Sequence, residues 1–292
     1  LGLRTGDISK LPSHDMGSFM KGKIRSYGVS DDFFMYDDSP SARVGIYYYE
    51  NGAYPRKPKV IYDRANSSFY SLKIDEIPEK AYTASRCFHT SGITLALSPK
   101  VRETTIEMIK RFKAAGTLVS FDVNFRGNLW TGEEAKECIE QILPYVDIFF
   151  CSEDTARLTF KKTGTAREMM KSFTEEYPIS IVASTQRIVH SPKSHTFGSI
   201  IYDARKDIYY EEEPYRDIDV VDRIGSGDAY ISGALYGLLT SNFDCEKAVR
   251  YGNATSAVKN TIPGDLPSSD LEEIETIIKA HNQTGFQSEM AR

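Results

Sequence analysis

No stretch of this 292-residue chain approaches the roughly 20 consecutive apolar residues that a membrane-spanning helix requires, and no signal-peptide pattern is seen. Cysteine is scarce. Cys87, Cys138, Cys151 and Cys245 lie far apart with no C-x-x-C pair, which excludes a disulfide framework and a zinc site of ordinary spacing. Free thiols in a reducing cytoplasm are the expected state. Basic runs are also missing: 36 Lys and Arg against 41 Asp and Glu leave a net charge of −5. An acidic chain without a clustered cationic face is a poor nucleic-acid binder. Nor is there a G-x-G-x-x-G after an early strand, which sets aside a dinucleotide-dependent oxidoreductase. No internal repeat or low-complexity tract is present. What remains is ordinary for a globular enzyme, with 40% apolar and 26% charged residues. The length suits one large domain or two modest ones.

From Thr117 to Asp203 the pattern alternates apolar strands with amphipathic helices. Thr117–Val123, Asp147–Cys151 and Ile179–Ala183 read as buried strands. Gly132–Leu143 reads as a helix, with Ala135, Cys138, Ile139 and Ile142 at helical spacing and Pro144 at its end. Pro99–Ala115 is another helix, stopped by Gly116. This alternation predicts an α/β fold with a central, mainly parallel sheet and helices on both faces. Residues 32–64 break the pattern. Arg43–Glu50 and Lys59–Asp63 are β-rich, with no helix between them, which predicts an antiparallel pair serving as a small β-strand lid. Residues 1–31 and 65–292 then form the α/β core, frayed from about Asn282.

The most informative segment is Asp222-Arg223-Ile224-Gly225-Ser226-Gly227-Asp228. A β-rich run, Asp217–Val221, leads into it. A helix follows in which Ala229, Ser232, Gly233, Ala234 and Gly237 allow close packing. A helix start presents unpaired N–H groups and the positive end of a dipole. Glycines flanking Ser226 remove Cβ atoms, so phosphate oxygens can approach the backbone. Asp228 is discordant beside an anion site. One reading is a plain dipole-compensating residue. The other is a base that accepts a proton from an attacking hydroxyl during phosphoryl transfer. The strand before, the small-residue helix after and the second motif below favour the base.

That second motif is Ser120-Phe121-Asp122-Val123-Asn124-Phe125-Arg126-Gly127-Asn128-Leu129-Trp130, at a strand's C-terminal end, where open α/β sheets bind ligands. Arg126 suits bidentate pairing with a carboxylate or phosphate, although a surface ion pair would also account for it. Trp130 reads better as core packing than as a stacking platform.

The Gly225–Asp228 segment resembles the C-terminal signature Asp-Thr-x-Gly-Ala-Gly-Asp of the ribokinase-like (PfkB) carbohydrate kinases, with Arg223 for Thr and Ser226 for Ala. The Ser120–Trp130 run, together with Ser91-Gly92-Ile93-Thr94-Leu95-Ala96-Leu97-Ser98, is similar to the 2-keto-3-deoxygluconate kinase branch. So are Gly45-Ile46-Tyr47 and Val60-Ile61-Tyr62-Asp63-Arg64. The resemblance spans Leu1 to about Ala280. It implies a ribokinase-like fold, ATP with Mg²⁺, and transfer to the C6 hydroxyl of 2-keto-3-deoxygluconate. It implies Asp228 as base and Gly225, Ser226 and Gly227 as anion hole. Tyr47, Tyr62, Arg64, Arg126 and Asp265 are implied for the sugar acid, and Ser184, Gln186 and Asn253 for the nucleotide.

Two family features are absent. The first strand and Gly-Gly segment of such proteins have no counterpart, which is expected to reflect omission of a segment before Leu1. The Asn-x-x-Glu that organises magnesium-bound water is replaced by Ser152-Glu153-Asp154-Thr155, so no metal ligand is assigned. A homo-oligomer paired through the lid is expected. The alternatives are a fructokinase or other PfkB sugar kinase, and a sugar-acid sensor of the same fold that has lost turnover.

Overall fold

The computed structural model describes residues 1–281; the expected fraying from Asn282 lies outside the described residues. The chain divides into two compact units, one formed by Leu3–Glu50 and Pro58–Ala183, the other by Leu1–Gly2, Asn51–Lys57 and the chain from Ser184 onward.

In the first unit, β1 (Thr5–Pro12), α1 (Asp15–Arg25) and β2 (Val29–Asp37) form a β-α-β piece with parallel strands. An antiparallel pair follows, β3 (Ile46–Glu50) with β4 (Lys59–Asp63). This pair is shorter than the expected lid, because residues 32–37 belong to β2. Next come β5 (Cys87–Ser91), α2 (Gly92–Ala96), α3 (Pro99–Ala114), β6 (Leu118–Asp122), α4 (Gly132–Glu140), β7 (Ile148–Phe150), α5 (Glu153–Leu158) and α6 (Ala166–Glu176). Strands β5, β6 and β7 pair in parallel, and β7 pairs with the first residues of β8 (Ile181–Ser191). Local chemistry starts several of these helices. Ser98 Oγ accepts the Val101 N–H at 3.2 Å with Pro99 in the first turn, and Gly116 at φ +81° ends α3. Thr131 with Glu134, and Thr165 with Glu168, form capping boxes on α4 and α6. Behind β6 and β7, Phe149 and Phe173 meet edge to face at 5.0 Å in the core.

In the second unit the expected strand–helix alternation fails. Strand β8 turns at Pro192-Lys193 into its neighbour β9 (Ser194–Asp203), with β10 (Ile208–Glu211) and β11 (Tyr215–Asp219) both antiparallel to β9. The seven-stranded sheet is therefore mixed rather than mainly parallel. The physical reason is the Ser191-Pro192-Lys193-Ser194 turn, which leaves no room for a crossover helix. Helices α7 (Ser226–Thr240), α8 (Cys245–Asn260) and α9 (Leu271–His281) complete the unit. The small residues of α7 act as expected. A Cβ on Gly233 would collide with Thr255 and the Tyr251 carbonyl, and one on Gly237 with the Ala248 backbone. Among the described residues no helix is long and apolar enough to cross a membrane, and all four cysteines are free.

Candidate active site

The phosphate turn is built by connections distant in sequence. Gly225 caps α7 in the left-handed region, φ +75°, a conformation that favours glycine. A Cβ there would also run into the carbonyl and Oδ1 of Asp265, so the expected anion-hole and acid-binding segments touch. Gly227 has open space around its Cα. Ser226 departs from expectation: it is buried, and its N–H already donates to the Arg223 carbonyl at 3.2 Å. The Ser226 N–H is thus engaged within the turn, while Gly225 caps α7 and Gly227 faces open space. Asp228 is exposed in the first turn of α7.

Asp222 organises the turn from beneath. Its buried carboxylate accepts the Ile224 N–H at 3.0 Å and the Gly264 N–H at 3.1 Å. Lys259, fully buried near the end of α8, donates from Nζ to the carbonyls of Asp222 at 3.2 Å and Ile262 at 3.0 Å. Burial pushes this ammonium down from the usual lysine range, while the Asp222 and Asp265 carboxylates oppose that shift. The motif includes Asp222 without giving it a role, and it does not reach Lys259. The available signal was a lone lysine in an otherwise small and apolar run, Gly252–Asn260, every residue of which is buried.

The expected nucleotide contacts fare unevenly. Gln186 is exposed on β8. Ser184 is buried, and Asn253 is wholly so. The Asn253 amide accepts from Ser199 Oγ at 2.7 Å and donates to Glu212 at 2.9 Å. Asn253 thus ties α8 to β9 in the core. A cationic neighbourhood was missed instead. His195 is buried on β9 with Nδ1 unpartnered, and burial followed by the guanidiniums of Arg187 and Arg223 and the His190 ring pushes its imidazole below the ordinary value. Among the described residues no acidic side chain pairs with Arg187 or Arg223.

In the other unit, β5 and β6 bring the two remaining motifs side by side, Ser91 opposite Asp122. His89 Nδ1 lies 2.9 Å from Ser120 Oγ, and a Cβ on Gly92 would strike the Val123 carbonyl, with Trp130 close by. Trp130 is buried, in agreement with a packing role. Arg126 is half-buried, with Nη1 donating to the Phe125 carbonyl at 3.2 Å.

The flap gathers three expected residues. Tyr47 and Tyr62 are cross-strand partners, their rings 6.3 Å apart. The Arg64 guanidinium stacks over the Tyr62 ring at 4.2 Å. Its Nη2 is buried and has no hydrogen-bond partner, which is costly for a cationic donor unless an anion completes it. Strand alternation puts Tyr49 and Val60 on the Tyr47/Tyr62 face and Ile46, Tyr48 and Ile61 on the opposite one.

Among the described residues no group of three His, Cys, Asp or Glu side chains is placed to hold a metal. Glu153, in the run that replaces Asn-x-x-Glu, pairs with Arg157 at 2.7 Å.

Comparison with known proteins agrees with this chemistry. Residues 1–271 match the pfkB family of carbohydrate kinases. A 2-dehydro-3-deoxygalactonokinase of Haloferax volcanii is 33% identical over 279 residues, covering 96% of this chain and 83% of the relative. A 2-dehydro-3-deoxygluconokinase of Bacillus subtilis is 27% identical, covering 94% and 80%. The crystal structure of a 2-dehydro-3-deoxygluconokinase from Thermotoga maritima superposes with a TM-score of 0.89 at 30% identity, covering 96% of this chain and 85% of that one. With its ribokinase-like α/β fold, a glycine-bounded helix start and an acidic residue one turn in, the chain belongs to the pfkB family of carbohydrate kinases.

Proposed function

We propose that this kinase transfers the γ-phosphoryl group of ATP to the C6 hydroxyl of 2-keto-3-deoxygluconate. The observation that carries the substrate reading is the orphaned Nη2 of Arg64, fixed over Tyr62 in the flap. A substrate carboxylate completes its hydrogen bonding, and a neutral sugar such as fructose does not. Arg126 supplies a second cation, and Tyr47 and Tyr62 supply ring faces and hydroxyls to the sugar chain. Asp265, packed on Gly225, is assigned to a sugar hydroxyl.

In the transfer, Asp228 takes the proton of the C6 hydroxyl as its oxygen bonds to the γ-phosphorus and the bond to the ADP oxygen breaks. The N–H groups of Gly225 and Gly227 and the α7 dipole stabilise the charge on the transferred group. Arg187, Arg223 and exposed Gln186 suit the nucleotide's phosphates. Mg²⁺ is read as riding on those phosphates, where it would offset their charge. The outer flap face, Ile46, Tyr48 and Ile61, is assigned to a second copy of the chain, and the enzyme to the cytoplasm.

A second reading has its own support: the 33%-identical relative is named for the galactonate epimer, so that epimer is the alternative substrate. Turnover measured on both epimers, fructose, ribose and gluconate tests the assignment. The keto-deoxy acids should lead by tenfold or more in kcat/KM; preference for fructose or ribose would overturn it. Asp228→Asn should lower kcat about a thousandfold, in the range of a lost general base, with nucleotide binding retained. Unchanged ADP release would remove Asp228 from the chemistry, and a parent protein that binds the acid without releasing ADP would be a sensor.

A further inference from the structure

Lys259 stands out among residues that the reaction scheme leaves unused. It is fully buried, and lysine is almost never fully buried unless paired. Its ammonium is held by backbone carbonyls rather than by a carboxylate: Asp222 O on one side, Ile262 O on the other. Those carbonyls belong to two different loops. One runs from Asp222 into the Gly225 cap of α7; the other runs from Ile262 to Asp265.

The same two loops are stitched again by Asp222, whose carboxylate takes N–H groups from Ile224 on the first and Gly264 on the second. The carbonyl of Asn260, the residue after Lys259, accepts the N–H groups of both Val221 and Asp222 at 2.8 and 3.1 Å. The α8 terminus, the phosphate turn and the Asp265 loop therefore form one polar cluster around a buried cation. Replacing a whole buried ionic cluster by apolar side chains of similar volume is often neutral or stabilising, so a buried charge is weak evidence for a role in stability alone.

We propose that Lys259 is a positioning residue for phosphoryl transfer. Its ammonium fixes the spacing between the Gly225–Gly227 donors and the Asp265 loop, and it adds a buried positive charge behind the site where negative charge develops. It touches neither substrate and acts through the turn. Preorganised donors are effective because they need no rearrangement as charge appears, so loss of the clamp should appear in kcat more than in ground-state binding.

The test uses Lys259→Met, which keeps the side-chain volume and removes the charge. Per folded enzyme, kcat should fall between tenfold and a hundredfold, with KM for ATP changed less than threefold. Ser199→Ala, which removes a buried hydrogen bond elsewhere in the same unit, is the control: it should lower Tm and leave kcat within twofold. Lys259→Ala should regain several-fold activity with propylammonium but not with propanol. Asp222→Asn, which weakens the clamp without altering α8, should reproduce the kcat loss and answers the question if the Lys259 variants fail to fold. The proposal is overturned by kcat within twofold of the parent in Lys259→Met, by a loss confined to KM for ATP, or by rescue that propanol matches.

Discussion

The phosphate turn and the β3–β4 flap do different work and are built differently. The turn is anchored from below: a buried carboxylate, a buried ammonium and a glycine seated against Asp265 fix its backbone. The flap is two five-residue strands with exposed aromatic side chains on both faces, and a two-stranded pair has little stability of its own. One buried guanidinium nitrogen, Arg64 Nη2, has no hydrogen-bond partner there. Chemistry shared by a whole family needs a backbone that does not move. Choosing one sugar acid needs side chains that can be exchanged without disturbing that backbone.

Substitutions at glycine should break this comparison most sharply. Gly225→Ala forces a Cβ into Asp265 at a positive φ, so turnover should fall by more than a hundredfold, with stability lost by about 1–3 kcal/mol, the usual cost of such strain. Gly227→Ala, facing open space, should leave the melting temperature unchanged and impair only the approach of phosphate. Equal loss of stability in the two variants, read by thermal melts, would mean that the Asp265 contact does not constrain the turn.

Next in size is Arg64→Ala. Loss of one charge-assisted contact, about 1.5–3 kcal/mol, should raise KM for the keto-deoxy acid roughly tenfold to a hundredfold while kcat and Tm hold. Steady-state kinetics with the acid and a neutral sugar separates this outcome from a general flap defect, which would raise KM for both.

The smallest effect is expected in acid. Burial alone would lift the Asp203 carboxyl, but the two-pronged Arg205 contact at 2.8 Å, the Arg205 N–H and Lys206 outweigh it and hold the group below its ordinary value. A carboxyl depressed in the folded state stabilises the fold above its unfolded pKa near 4 and loses that contribution as pH falls through the folded value. Melting temperatures taken from pH 7 down to pH 3 should therefore drop in the parent. Asp203→Asn should start lower by the equivalent of ~2 kcal/mol and fall less steeply. Parallel curves would rule out Asp203 as the acid-sensitive group.

Much of the fold was legible because its signals are local. Ser98 with Pro99, the Thr131 and Thr165 capping boxes, and Gly116 each act within a turn of the chain. Two β-rich runs with no helix between them predicted β3 and β4 as an antiparallel pair. The strand–helix alternation read from Thr117 to Asp203 breaks after β8, whose first residues pair in parallel with β7 as expected, because Pro192-Lys193 makes a tight turn into β9. The burial of Asn253 and Ser184 was not legible either. A polar residue in a motif-bearing stretch reads as a ligand contact until its burial is known, and burial is set by neighbours from other segments.

The sequence by itself pointed to the reaction, because a glycine-bounded helix start followed by Asp228 sets its candidate groups on consecutive residues. The tertiary structure alone decided which groups serve that site. It seated Asp265 on Gly225, buried Ser226 and Asn253, left Arg64 Nη2 without a hydrogen-bond partner, and enclosed Lys259 among carbonyls of loops whose Asp222 and Gly264 are 42 residues apart. A lysine in a helix reads as solvent-facing from periodicity, and only long-range packing reveals that it has no water to face.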